Sequence, residues 1–240
     1  MKSTLFKDFD ERSQEVSKYF LLLKNLEQGS IKLSMGNSTN HKIKNIDIEL
    51  EKTLKATGFL LLYNLVEATM RNAIEAIFDD LTNNNISFDD VKDEIKKIVI
   101  KNFKNNKSKS SDKLLESIKN ISTDIISASF DKEKLFSGNI DSKKIKETAE
   151  IYGFSYKTNA KKTQNGNDLL KIKNNRNDLA HGFKSFEEIG RDATADELFQ
   201  IKKKVISYLR EILQNIETYI YNKEYLDSSS RKKPSSSNYT

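Results

Sequence analysis

For its first 233 residues this chain contains no proline, and the whole of it holds only eight glycines. Proline and glycine turn a chain sharply, and a protein of many short strands needs such residues every roughly 8–12 positions. Without them the backbone is left with long uninterrupted segments, which favours helices. Hydrophobic residues make up 36% and charged residues 32%, a balance that suits amphipathic helices better than a compact α/β core. The expectation is an all-α fold, a helical bundle of about six to seven helices with long central and C-terminal members. One domain is expected over residues 1–226, with a disordered, Ser-rich basic tail over 227–240.

The apolar pattern fills in that outline. Val16, Phe20, Leu23 and Leu26 recur at helical spacing and predict a helix over 9–26. Residues 29–41, rich in Gly, Ser, Asn and Thr, read as a loop, and His41 within it is given no role. A second helix is predicted over 43–81. Ile46, Leu50 and Leu54 mark one stripe of it; then residues 59–66 (FLLLYNLV) are apolar nearly all round. A helix apolar on every side is buried on every side, so this segment is the expected central strut. It is too short to span a bilayer, which takes about 20 residues. Gly58 costs roughly 1 kcal/mol against Ala inside a helix, which predicts a neighbour packed close against it.

Further along, Ser87-Phe88-Asp89-Asp90 resembles a cap opening a helix to about residue 103, and another helix is predicted over 112–130. Asp141 is placed to cap a helix that Gly153 ends. Residues 156–166 read as an exposed basic loop and 185–192 as a connection. Thr194-Ala195-Asp196-Glu197 is a capping box launching the last helix, with Leu198, Ile201, Val205, Leu209, Ile212, Ile216 and Ile220 on its inner face. The N-terminus lacks the apolar core of a signal peptide. The absence of cysteine removes disulfides and thiolate zinc sites. These features predict a soluble, cytoplasmic chain without membrane association. A net charge of +6 is compatible with a polyanionic partner without demanding one.

The chemistry concentrates in Lys173-Asn174-Asn175-Arg176-Asn177-Asp178-Leu179-Ala180-His181-Gly182, which holds one of only two histidines. Arginine stays charged and presents a planar fork that matches two phosphate oxygens. Histidine, titrating near neutral pH, takes or gives a proton. Together they suffice to cleave RNA without a metal or cofactor, because RNA carries its own nucleophile in the 2′-hydroxyl. One difficulty is geometric: five residues of regular helix turn by about 140° net, so the two side chains do not share a face. Three solutions are open: the arginine bends back, the helix loosens near His181 with Gly182 as its terminator, or two copies of the motif meet across a two-fold axis.

The run Arg176-Asn177-Asp178-Leu179-Ala180-His181-Gly182 resembles the signature of the HEPN superfamily: an Arg, a polar residue, a few more, then His. Residues 60–69 (LLLYNLVEAT), 137–141 (SGNID) and 185–192 (SFEEIGRD) are similar to blocks of the stand-alone bacterial HEPN-like nucleases of the MAE type. The resemblance runs over about residues 45–225. It implies a helical bundle, a homodimer with the signatures apposed, and metal-independent endoribonuclease activity on RNA. It also implies a toxin–antitoxin or phage-defence setting, with an antitoxin or regulator as a further partner. On it Arg176 and His181 would be catalytic. Asn177 would position RNA or the pair, and Asp178 would be a helix-surface acid. Asn64 and Glu67 would support the site, Glu67 also standing i,i+4 to Arg71.

Two other readings use the same residues differently. A non-catalytic HEPN module would bind a nucleotide, RNA or a partner protein without cutting. A plain helical scaffold would bind nucleic acid through Lys161-Lys162, Lys202-Lys203-Lys204 and the basic tail, with an affinity that follows salt and lysine number.

Overall fold

A glycine in the middle of a 36-residue helix marks where an aromatic ring comes close. That helix is α2 (Ile48–Asn83), and a Cβ on its Gly58 would lie 3.1 Å from the ring of Phe20. Phe20 belongs to α1 (Thr4–Glu27), whose buried face also carries Phe9, Val16, Leu23 and Leu26. The expected close neighbour of Gly58 is therefore present. The structure, a computed structural model, describes residues 4–37, 40–105, 126, 130–131 and 135–231. It is mostly helical.

Among the described residues the further elements are β1 (Leu33–Asn37), β2 (Asn40–Lys44), α3 (Asp93–Asn105), α4 (Ser142–Tyr152), α5 (Ala160–Thr163), α6 (Asp168–Ala180), α7 (Phe186–Arg191) and α8 (Ala195–Tyr221). Two compact units share them. The first comprises Met1–Met70, Gly138–Lys143 and Thr158–Glu211. Its core is built from α1, the first part of α2, α6 and the first part of α8, through Phe20, Phe59, Leu62, Leu169, Ile172, Leu198 and Leu209 among others. An ion cluster around the buried Lys55 fastens it. Lys55 Nζ on α2 donates to Glu27 at 2.7 Å and to Glu51 at 2.6 Å. Glu27 at the end of α1 also accepts from the backbone N–H of Ala195, the first residue of α8. The second unit comprises Arg71–Ser137, Lys144–Lys157 and Ile212–Thr240. There Ile74, Ile77, Phe78, Val91, Tyr152 and Tyr219 are buried, and the Tyr219 hydroxyl donates to the Tyr152 carbonyl at 2.7 Å.

Several expectations need correcting. Residues 33–37 and 40–44 pair as antiparallel strands rather than lying in a loop, with Leu33 opposite Lys44 and Gly36 opposite His41. Every described residue of these strands is exposed, so no buried face marks them in the sequence. Residues 87–90 are a turn, and α3 begins later, at Asp93. The stretch 156–166 contains α5, capped by the Asn159 side chain, and a short 3-10 turn, with Thr163 buried. Residues 185–192 contain α7, closed by a reciprocal capping box between Ser185 and Glu188. The strut 59–66 is not buried all round, since Asn64 is exposed and Leu60 and Leu61 are half-buried. Past α8, Leu226 bridges Val91 and Arg231 donates to the Leu226 and Glu224 carbonyls, so order extends into the expected tail. The predicted helix over 112–130 and the tail beyond 231 lie largely outside the described residues. No helix among the described residues is long and apolar enough to cross a membrane.

Candidate active site

Helix α6 carries the Arg–His stretch, and α8 holds its N-terminal end. Lys171 Nζ pairs with Glu197 of α8 at 2.6 Å, and Lys204 of α8 lies 3.4 Å from Asp168 in the first turn of α6. Gly166, just before α6, has φ +73 and packs so tightly that a Cβ would stand 3.0 Å from the Tyr208 ring of α8.

The C-terminal end is a Schellman motif. His181 is the C-cap and its N–H still bonds the Asn177 carbonyl. Gly182 turns left-handed at φ +70, its N–H reaches the Leu179 carbonyl at 3.3 Å, and the Phe183 N–H reaches the Asp178 carbonyl at 2.8 Å. The helix is thus regular up to the histidine. No loosening brings His181 round to Arg176, and the 140° step stands. His181 is exposed, and its ring lies 5.6 Å from that of Phe183.

Arg176 faces the other way, toward residues 138–141. Lys173, Arg176 and Asn177 stand at i, i+3 and i+4, one face of the helix, and each reaches this loop. Lys173 Nζ donates to the buried Asp141 carboxylate at 2.5 Å. Arg176 Nη1 donates to the Gly138 carbonyl at 3.4 Å and to Asn177 Oδ1 at 2.9 Å. Asn177 Nδ2 in turn donates to Asn139 Oδ1 at 3.2 Å. The guanidinium carbon sits 4.6 Å from the centroid of the Tyr63 ring on α2, within the range of a cation–π contact. Tyr63 belongs to the same assembly: its hydroxyl accepts the Ile140 N–H at 3.3 Å and hydrogen-bonds Glu67. Burial pushes that hydroxyl up to about 12; the Ile140 N–H opposes the rise and the Glu67 carboxylate adds to it. The arginine is therefore clamped on one edge and stacked on one face. Among the described residues, Nε and Nη2 have no hydrogen-bond acceptor.

Of the residues singled out from sequence, the structure brings Arg176 and Asn177 together and links Glu67 to them through Tyr63. Asp178 accepts from Lys184 Nζ at 2.9 Å, bracing the turn after the helix. Asn64 is exposed on α2. Lys173, Gly138, Asn139 and Tyr63 were given no role from sequence. The signal available for them was the i, i+3, i+4 spacing of Lys173, Arg176 and Asn177, three polar side chains on one helix face that had to meet something polar. Alongside runs an open groove of about 630 Å³ lined by Leu170, Asn174, Asn175, Asn177, Asp178 and Lys184.

A family profile described as HEPN_MAE_28990/-like HEPN matches residues 1–225, nearly the whole chain. The chain belongs to that HEPN family. No curated protein and no solved structure matches it. Residues 176–181, which resemble the HEPN signature, begin on a clamped arginine and end on an exposed histidine at a helix terminus. Of the three other blocks that resemble the family, two contribute to holding this region and the third packs elsewhere on α2. Residues 60–69 supply Tyr63 and Glu67. Residues 137–141 supply the loop beneath Arg176. Residues 185–192 form α7, whose Gly190 touches the backbone of α2.

Proposed function

We propose that this HEPN protein is a metal-independent endoribonuclease, acting as a homodimer in phage defence or a toxin–antitoxin system. The observation that carries the reading is the disposition of Arg176, whose guanidinium is held by Gly138, Asn177 and Tyr63, with Nε and Nη2 meeting no acceptor among the described residues. A fixed, half-buried cation with open donors is suited to a phosphate, and preorganisation of this kind favours charge that builds up in a transition state. His181 takes the proton of the 2′-hydroxyl, O2′ bonds to phosphorus, and the bond from phosphorus to O5′ breaks. The leaving oxygen takes a proton from solvent and the His181 imidazolium releases its own to solvent, yielding a 2′,3′-cyclic phosphate and a 5′-hydroxyl. Arg176 meanwhile neutralises the equatorial oxygens.

Because the two side chains occupy different faces of α6, the arginine of one copy would work with the histidine of another. That separation also favours a second reading, a HEPN module that binds RNA, a nucleotide or a partner without cutting. The test incubates wild-type protein and His181→Ala with structured and unstructured RNA in EDTA and maps the product ends. Cleavage by wild type alone, with cyclic phosphate ends, is expected. Binding of RNA by both proteins with cleavage by neither supports the binding module. Equal cleavage by both refutes the assignment of His181.

A further inference from the structure

The Schellman motif that ends α6 ordinarily buries an apolar residue. Its first residue past the left-handed glycine packs against an apolar side chain one turn back in the helix. Here that residue is Phe183, and the positions it would cover are Asp178 and Asn177. Both are polar and both are engaged elsewhere, Asp178 with Lys184 and Asn177 with Arg176 and Asn139. The ring is left 76% exposed. A leucine or methionine would satisfy the backbone motif as well, so local structure does not explain an aromatic here.

The surroundings narrow what the ring is for. Residues 181–188 are all exposed, and apart from Phe186 the neighbours of Phe183 along the chain are polar or glycine. A protein partner generally seeks a contiguous apolar patch of a few hundred Å², whereas a nucleobase needs only one flat face. The ring of His181 lies 5.6 Å away and is tilted by 35°. Lys184 follows directly in sequence and lines the amide-rich groove along α6. An exposed ring beside an imidazole, followed in sequence by a lysine that pairs with Asp178 on the wall of that groove, has the composition of a surface that stacks bases while nearby polar groups meet the backbone.

We propose that Phe183 is a base-stacking platform, holding the nucleobase of a nucleotide that flanks the phosphate to be cleaved. This rests on the ribonuclease reading and adds a positioning residue to it. Stacking fixes a flexible nucleotide so that its 2′-hydroxyl meets His181, and it tolerates any base, since each has a π face. Preference for single-stranded over duplex RNA follows, because a paired base has no free face.

The chain contains no tryptophan, so Phe183→Trp installs a sole indole reporter. The probe is a mixed-sequence 2′-O-methyl oligonucleotide, which cannot supply the nucleophile and stays intact. Saturable quenching of the indole by this oligonucleotide is expected, with little quenching by an abasic phosphodiester of equal length. Phe183→Ala should bind the oligonucleotide roughly tenfold or more weakly than wild type, with Phe183→Tyr restoring affinity. Equal quenching by the abasic chain, unchanged affinity in Phe183→Ala, or conversion of a dimer to monomers by Phe183→Ala in sedimentation would each overturn the proposal. Quenching by the oligonucleotide without cleavage of ordinary RNA by wild type would uphold stacking and refute the nuclease. Cleavage without quenching would do the reverse.

Discussion

Gly138 shows how much of this site rests on single residues. Its φ of +75 lies in the region open mainly to glycine, and a Cβ there would stand 3.1 Å from Nη1 and 3.2 Å from Nη2 of Arg176. Alanine would add backbone strain of roughly 1–2 kcal/mol and push on the guanidinium at once. The side chain can yield, but only by leaving the Gly138 carbonyl, Asn177 or the Tyr63 ring. Gly138→Ala is therefore expected to lower stability by about 1–2 kcal/mol in urea titration. RNA cleavage should fall further than the unfolded fraction accounts for, when assayed where the variant remains folded. Cleavage that merely tracks the folded fraction would mean that the placement of Arg176 is not what Gly138 protects. The stretch from Arg176 to His181 was legible in the sequence as a candidate site, because it is local. The clamp was not. Gly138 and Arg176 are 38 residues apart, and Tyr63 is farther still. Neither periodicity nor capping rules relate residues at such distances.

Among the elements, legibility followed length. Long helices such as α2 and α8 repeat their apolar spacing over many turns, so their existence is plain and only their ends drift. Short elements have no room to repeat. The six residues of α7 span fewer than two turns, yet Ser185 and Glu188 spell out a capping box at the right spacing, a sign that the reading of 185–192 as a connection passed over. Being too short to persist alone, α7 depends on what it touches. Lys52 of α2 pairs with Glu187 at 2.8 Å, and a Cβ on Gly190 would fall 1.9 Å from the Lys52 carbonyl oxygen. The Lys52–Glu187 pair is partly exposed and contributes little, whereas the backbone approach at Gly190 has no slack. Gly190→Ala should therefore destabilise the protein by about 1–3 kcal/mol or more, as a misfit against backbone rather than a yielding side chain. Ser185→Ala should cost about 1 kcal/mol through the lost cap. Urea midpoints of the two variants measure both. Equal, small effects would show that α7 lies more loosely on α2 than the contact implies.

At the scale of the whole molecule the open question is how many copies make one site. Within one chain Arg176 points to the loop at 138–141 and His181 stands exposed at the helix end, with regular helix between them. If catalysis needs both groups on one phosphate, they come from different copies, and the dependence can be read without seeing the dimer. Arg176→Ala and His181→Ala are each expected to be inactive alone. When the two are unfolded together and refolded at equal concentration, random pairing makes about half of the dimers mixed. Each mixed dimer has one site lacking both groups and one site with the arginine of one copy and the histidine of the other. The mixture should thus recover about a quarter of wild-type cleavage. If the arginine and histidine of a single copy act together, each copy in the mixture still lacks one of them, and the mixture stays silent. A silent mixture whose mixed dimers are confirmed by mass would reject the shared site, whatever the activity of the wild type.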